Sequence, residues 1–348
     1  MKRKLAAFFA ALTLILSSFG VFTACSVEKT DIVVSIFPEY DWVMNVLGEK
    51  KSDLGVKLLA KSGADLHNFQ PKSDDILAIA KCKLFIYVGG ESDEWVDEVL
   101  AENPNSDRMA INLLEVLGEN AKIEEPVGDE EHDHEHEHEH EEGEDHDHEH
   151  EEGEEHAHEH EEEYDEHVWL SLKNAQIFVD EIADAIGKID ADNKAVYEAN
   201  AAAYKAKLSV LDERYTAAVD KAETKTLLFA DRFPFRYLVD DYGLSYFAAF
   251  SGCSAANSAA SLDTIVRLAD KLIEHSLNTI LIIEGSDGSI ARSVIQTAKD
   301  KGYTGQVETK VLDSLQAATI KEYESGRNYL AVMESNLSVL SAALKVSD

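Results

Sequence analysis

Three cysteines, Cys25, Cys82 and Cys253, are all that the 348 residues carry, too few for a disulfide scaffold or a thiolate zinc site, so the core has to fold by packing. Basic side chains are scarce as well: 32 Lys plus Arg stand against 68 Asp plus Glu, a formal net charge of -36. Such a surface repels phosphate backbones and anionic lipid while attracting cations, which argues against a nucleic-acid partner and against polybasic membrane docking. Beyond the N-terminus no run approaches the ~18 consecutive apolar residues of a membrane span. Lys and Arg are missing altogether from residues 124–166, where 25 acids and 11 of the 14 histidines collect. Without that segment 43 acids face 32 bases. Outside it, neither a His-Glu-x-x-His segment nor a Gly-x-Ser-x-Gly elbow occurs, so the local signatures of zinc and serine hydrolases are lacking.

The N-terminus reads as a secretory leader: Met1-Lys2-Arg3-Lys4, an apolar stretch over residues 5–22, then Phe22-Thr23-Ala24-Cys25. The last four residues resemble the bacterial lipobox, although Phe22 stands where Leu is usual. The expectation is a leader over residues 1–24, lipidation at Cys25, a tether over 25–30, and a mature protein held outside the cytoplasmic membrane by that anchor.

Residues 31–37, ended by Pro38, read as a buried strand, and 40–47 show helical spacing closed by Gly48. Strand signals at 56–60 and 84–88 alternate with helical signals at 72–80 and 95–100. This alternation predicts a parallel sheet with helical crossovers. Residues 191–222 contain neither Pro nor Gly, and Tyr197, Tyr204, Leu208, Leu211 and Tyr215 mark one face of a long helix. At 1.5 Å per residue it would reach about 48 Å, more than one small lobe needs. Strand signals at 226–230, 279–283 and 309–312 then give a second unit. The predicted fold class is α/β, with two parallel-sheet lobes (residues 31–190 and 223–348) joined by a rigid helix. The Glu-His tract at 124–166 interrupts the first lobe as a loop too polar to order itself.

Outside the tract only His67, His167 and His275 remain. His67 and His167 stand where a strand or segment empties into a connection, the place where ligands gather in α/β sheets, whereas His275 lies in a helix before a strand. Imidazole is a common ligand of divalent zinc, and carboxylates at strand ends in the second lobe, Asp231, Glu284 and Asp313, are candidates to complete a site. A metal role for Cys253, as a fifth ligand, is the weakest of these candidates, and Cys82 and Cys253 are expected to be two separate thiols.

The chain resembles the cluster A-I solute-binding proteins that deliver zinc or manganese to ABC importers. The likeness is carried by Val33-Val-Ser-Ile-Phe-Pro38, Asp65-Leu-His67-Asn-Phe-Gln-Pro71, Leu84-Phe-Ile-Tyr-Val-Gly-Gly90, Glu166-His167-Val-Trp-Leu-Ser171, Asn193-Lys-Ala-Val-Tyr197 and Leu312-Asp313-Ser314. The resemblance implies an ion gripped in the cleft by two ligands from each lobe, with His67 and His167 as the N-lobe pair and Asp313 as the last C-lobe ligand. It also implies an ABC permease as partner and no catalysis, while the continuous linking helix, which resists bending, predicts small, shear-like lobe adjustments on loading. The third position departs from the family: Arg232 stands where His or Glu is usual, and Arg cannot ligate a cation. Asp231 next to it, Glu284 from the next strand end, or a water are the alternatives. Arg232 itself is suited to an ion pair with an acid such as Glu284.

The tract histidines are His132, His134, His136, His138, His140, His146, His148, His150, His156, His158 and His160. Interleaved with carboxylates, they read as an auxiliary metal-collecting loop, holding zinc transiently and releasing it as imidazole protonates near pH 6.5. Manganese gains less from imidazole, so zinc (Zn2+) is the expected cargo and manganese (Mn2+) the alternative. A monomer is expected.

Overall fold

The computed structural model describes residues 29–61, 66–125, 163–253 and 260–347. Cys25, the leader and the histidines from His132 to His160 lie outside the described residues.

The first lobe contains β1 (Ile32–Val34), α1 (Phe37–Leu47), β2 (Val56–Leu58), α2 (Ser73–Lys81), β3 (Leu84–Tyr87), α3 (Trp95–Glu102), β4 (Met109–Asn112) and α4 (Leu113–Leu117). Its strands are parallel in the order β2-β1-β3-β4, with Val33 opposite Lys57 on one side and Phe85 on the other. β1 is shorter than expected because Phe37 and Pro38 open α1; proline suits a first helical turn, where its missing N–H has no partner to lose. The buried Glu39 carboxyl closes that turn, accepting the N–H groups of Ser35 and Ile36 at 2.8 and 3.2 Å.

α5 (Leu172–Ile189) leads through a single 3-10 turn into α6 (Lys194–Asp220), the expected linking helix, 27 residues and about 40 Å long. All five predicted apolar positions of α6 are buried. The second lobe follows with β5 (Thr226–Phe233), α7 (Arg236–Tyr242), β6 (Ser245–Ser251), α8 (Leu262–Glu274), β7 (Thr279–Ile282), α9 (Ser289–Asp300), β8 (Glu308–Val311), α10 (Ile320–Glu324) and α11 (Tyr329–Ala343). Its parallel strands run in the order β6-β5-β7-β8.

α6 is bonded to both lobes in sequence order. Near its start Asn200 donates to the Val46 carbonyl at 2.9 Å and the Tyr204 hydroxyl to Asp41 at 2.8 Å; near its end Tyr215 donates to the Met333 carbonyl at 2.6 Å. One continuous apolar core runs from Ile32 through α6 to Leu344, so the lobes share their packing. Among the described residues no helix is long and apolar enough to cross a membrane.

Candidate metal centre

β2 and β3 deliver their connections to the same edge of the first sheet. The 3-10 turn Leu66–Asn68 carries His67 there, and the segment ahead of the turn Val168–Leu170 brings in His167. His167 is completely buried, and the His67 side chain is 11% exposed. Their Nε2 atoms stand 3.2 Å apart, with the ring planes at 61°.

What lies behind the rings decides their tautomers. His167 Nδ1 is 3.0 Å from Asp165 Oδ1, which also accepts the His167 backbone N–H at 2.8 Å. His67 Nδ1 is 2.8 Å from Ser92 Oγ and 3.3 Å from Glu166 Oε2. Glu166 is fixed in turn by the Ser92 backbone N–H, which donates to Oε1 at 2.7 Å. Burial works to raise the Glu166 carboxyl, but the hydrogen bonds from His67 and Ser92 outweigh it and hold the group below the ordinary glutamate range. The acceptors facing both Nδ1 atoms favour the tautomer with the ring proton there, which turns the two Nε2 lone pairs toward each other. A tetrahedral cation at about 2.05 Å from each nitrogen would hold them about 3.3 Å apart, so this spacing suits one zinc ion.

Two glycines make the arrangement possible. Gly90 has φ +81°, and a Cβ there would lie 2.5 Å from Glu166 Oε1. A Cβ on Gly252 would lie 3.0 Å from His167 Cε1 and 2.9 Å from the Phe233 carbonyl oxygen. Gly252 therefore lets the turn after β6 close onto the His167 ring, and that turn brings Cys253 in. The donor atoms of His67, His167 and Cys253 all lie within 4.8 Å of one another. The Cys253 backbone N–H donates to Glu124 Oε1 at 2.8 Å. Burial first, then the charges of Glu124, Asp165 and Glu166, pushes the Cys253 thiol far up. A cavity of about 360 Å³ opens beside the cluster, lined by His67, Glu91, Glu94, Glu166 and Cys253 among others, and its acidic lining suits a cation.

The three carboxylates singled out from the sequence lie outside this group. Asp231 falls within β5, where the register with β6 shifts between Phe229 and Arg232. Its Oδ1 accepts the Arg232 N–H at 2.9 Å, while Oδ2 is sealed from solvent with no hydrogen-bond partner among the described residues. Glu284 holds the loop after β8, accepting the Ser314 N–H and hydroxyl, both at 2.7 Å, and the Gln316 N–H at 3.2 Å. Burial, then the nearby Asp313 charge, raises its carboxyl. Asp313 Oδ1 accepts the Leu315 N–H at 2.9 Å, and its Oδ2 pairs with Arg327 Nη2 at 2.6 Å. His275 caps α8 beside Phe247, away from the cluster. Cys82 is a separate buried thiol, raised to about 12 by burial. Sequence reasoning gave Cys253 little weight because the turn that carries it follows an edge strand with no clear pattern; Gly252 was the available signal.

A family model described as zinc-uptake complex component A, periplasmic, matches residues 32–343. The chain is 31% identical over 327 residues to the zinc-binding lipoprotein AdcA of Streptococcus pneumoniae, covering 91% of this chain but only 57% of AdcA, so it spans a little over half of that relative's length. It is 31% identical over 321 residues to the high-affinity zinc uptake system protein ZnuA of Bacillus subtilis, covering 92% and 89% of the two chains. Among solved structures, the Zn(II)-bound ZnuA-like domain of S. pneumoniae AdcA superimposes with a TM-score of 0.66 at 25% identity, over 91% of this chain and 99% of that one. The metal-dependent lipoprotein YcdH from B. subtilis does so with a TM-score of 0.68 at 25% identity, over 91% and 99%. Because the matched region takes in both sheets, the linking helix and both histidines of the cluster, the chain belongs to the ZnuA family of zinc-uptake components.

Proposed function

We propose that the chain is the metal-capturing component of an ABC importer, taking up zinc between its lobes and presenting it to a membrane permease without catalysing a reaction. The observation that carries this reading is the pair of Nε2 atoms of His67 and His167, 3.2 Å apart and each backed by an acceptor at Nδ1. Two such lone pairs repel unless a proton or a metal cation lies between them. Imidazole favours zinc over manganese, which makes zinc the cargo and manganese the competitor. Relatives named for zinc binding and zinc uptake support the same choice.

The remaining oxygen donors come from the second lobe. Asp313 joins the ion by exchanging the Arg327 guanidinium for the cation, with Glu284 holding its loop, while Asp231, whose buried Oδ2 lacks a partner among the described residues, or another donor takes the one position left. The eleven tract histidines supply zinc to the cleft. Glu124 and Glu163, which flank the tract, are tied by a backbone hydrogen bond of 2.8 Å, and Glu124 is bonded to Cys253 beside the imidazoles. Lipidation at Cys25 holds the monomer on the outer face of the cytoplasmic membrane, within reach of its permease.

Zinc titration of the protein with residues 126–162 replaced by a short linker tests the reading. One tight equivalent should bind, and His67→Ala with His167→Ala should abolish it. Undiminished binding by that double variant, or turnover of ester, amide or phosphate substrates, would overturn it.

A further inference from the structure

The resemblance implies a third ligand at the position of Arg232, which lies near the end of β5 in this chain and has no lone pair to offer. The structure places a different donor at the same cleft. β5 and β6 run parallel, with Arg232 opposite Phe250 and Phe233 opposite Ser251. One turn past that last pair, β6 has extended to the imidazoles, and Gly252 packs against the Phe233 carbonyl and the His167 ring. Nothing larger than glycine fits there, and the following side chain is Cys253. Its position is fixed by its backbone bond to Glu124, and its Sγ lies within 4.8 Å of the two imidazole donor atoms.

We propose that Cys253 supplies the third protein ligand to zinc as a thiolate, so that β6 provides the donor that β5 has lost. This inference rests on the reading that His67 and His167 bind the ion. Zinc at about 2.05 Å from nitrogen and about 2.3 Å from sulfur would place Sγ about 3.5 Å from each Nε2, an approach that side-chain rotation supplies. One bond forms, from Sγ to zinc, and the thiol proton leaves to water. The ion is then held by two ligands of the first lobe and one of the second, leaving a position for a carboxylate or water. The consequence is selectivity: a soft thiolate favours zinc and disfavours manganese, which prefers oxygen.

X-ray absorption at the zinc edge tests this on the full chain, dialysed against a chelator until one equivalent of zinc remains. The Glu-His tract contains no cysteine, so sulfur scattering cannot come from zinc held there, and the cysteine variants assign it. One sulfur at about 2.3 Å is expected in wild type and in Cys82→Ser, and none in Cys253→Ser. Cobalt substitution should give a thiolate charge-transfer band with the same dependence. Cys253→Ser should weaken zinc by more than the ~10–100-fold that losing a supporting partner costs, and should narrow the preference over manganese. A wild-type spectrum of nitrogen and oxygen only, with zinc affinity unchanged in Cys253→Ser, overturns the thiolate and leaves the histidine reading standing. Retention of that last equivalent by the His67→Ala, His167→Ala variant overturns both.

Discussion

The Trp169 indole N–H donates to the carbonyl of Ser314 at 2.9 Å, and the carbonyl of Trp169 accepts the Tyr329 hydroxyl at 2.7 Å. Trp169 lies two residues beyond His167, with ring centroids 5.2 Å apart, and Ser314 follows Asp313 in the loop held by Glu284. These buried bonds set the carboxylate loop of one lobe against the imidazole pair of the other. Trp169→Phe leaves the fully buried Ser314 short of a donor and should cost about 1–3 kcal/mol in urea unfolding. It should also weaken zinc binding. Tyr329→Phe should give a comparable stability loss from the opposite side of the same tryptophan. Unchanged stability in both would mean that the lobes are held by packing alone.

Asp165 tests the orientation of the ligand rather than the ligand itself. Its Oδ1 accepts both the backbone N–H and Nδ1 of His167, so it fixes the ring and keeps the proton off Nε2. Asp165→Ala should lower zinc affinity by about 10–100-fold without removing any donor to the ion. Asp165→Asn, whose amide oxygen still accepts both bonds, should lose less. Calorimetric titration of the two variants checks the order.

How far the sequence announced this arrangement depended on how each element is buried. β1, β3 and β7 are interior strands, and their apolar runs were legible from composition. The edge strands β4 and β6 are buried only in part, so Met-Ala-Ile-Asn and Ser-Tyr-Phe-Ala-Ala-Phe-Ser carry no clear alternation and were not foreseen. β5 runs three residues past its expected end because the shift before Arg232 keeps Asp231 and Arg232 in the sheet. The long helix was legible because a face of tyrosines and leucines is uninterrupted by Gly or Pro. His67 and His167 stood out because histidine is so rare outside the tract. The meeting of Cys253 with both depends on parallel registry between β5 and β6, a long-range fact that no local pattern encodes.

Gly90 separates backbone strain from site geometry. Gly90→Ala meets both a positive φ of +81° and a Glu166 oxygen at 2.5 Å, so it must displace the carboxylate that backs His67. Gly243 also has a positive φ, +62°, but open space around it. Gly243→Ala should cost about 1–2 kcal/mol of stability from the left-handed backbone, and Gly90→Ala, at ψ -168° in a region essentially confined to glycine, about 1–3 kcal/mol. Only Gly90→Ala should weaken zinc binding, by about tenfold or more. Equal zinc affinities in the two variants would remove Glu166 from the site.

Asp41 links α1 to the linking helix and should make stability depend on pH in an uncommon direction. Its buried Oδ2 accepts the Tyr204 hydroxyl at 2.8 Å and the Asn45 amide at 3.1 Å. Burial dominates and raises the carboxyl from 3.8 to about 6, with the Tyr204 hydrogen bond opposing. Because the folded value lies above the unfolded one, the folded chain holds the proton more tightly, and the contribution to stability is complete below pH 4. It is lost as pH rises through about 6, and by pH 8 the ionised, buried group costs a few kcal/mol, about 3 by linkage. Asp93, raised by burial to about 7, acts with the same sign, as does Glu39. Each variant is therefore compared with wild type at the same pH, where these groups and the tract histidines cancel. Asp41→Asn should match wild type at pH 4 and exceed it at pH 8 in urea unfolding. Tyr204→Phe removes the donor that favours the charged form, so its deficit should be larger at pH 8 than at pH 4. Equal effects of both substitutions at the two pH values would show that Asp41 stays ionised throughout, with its hydrogen bonds outweighing burial.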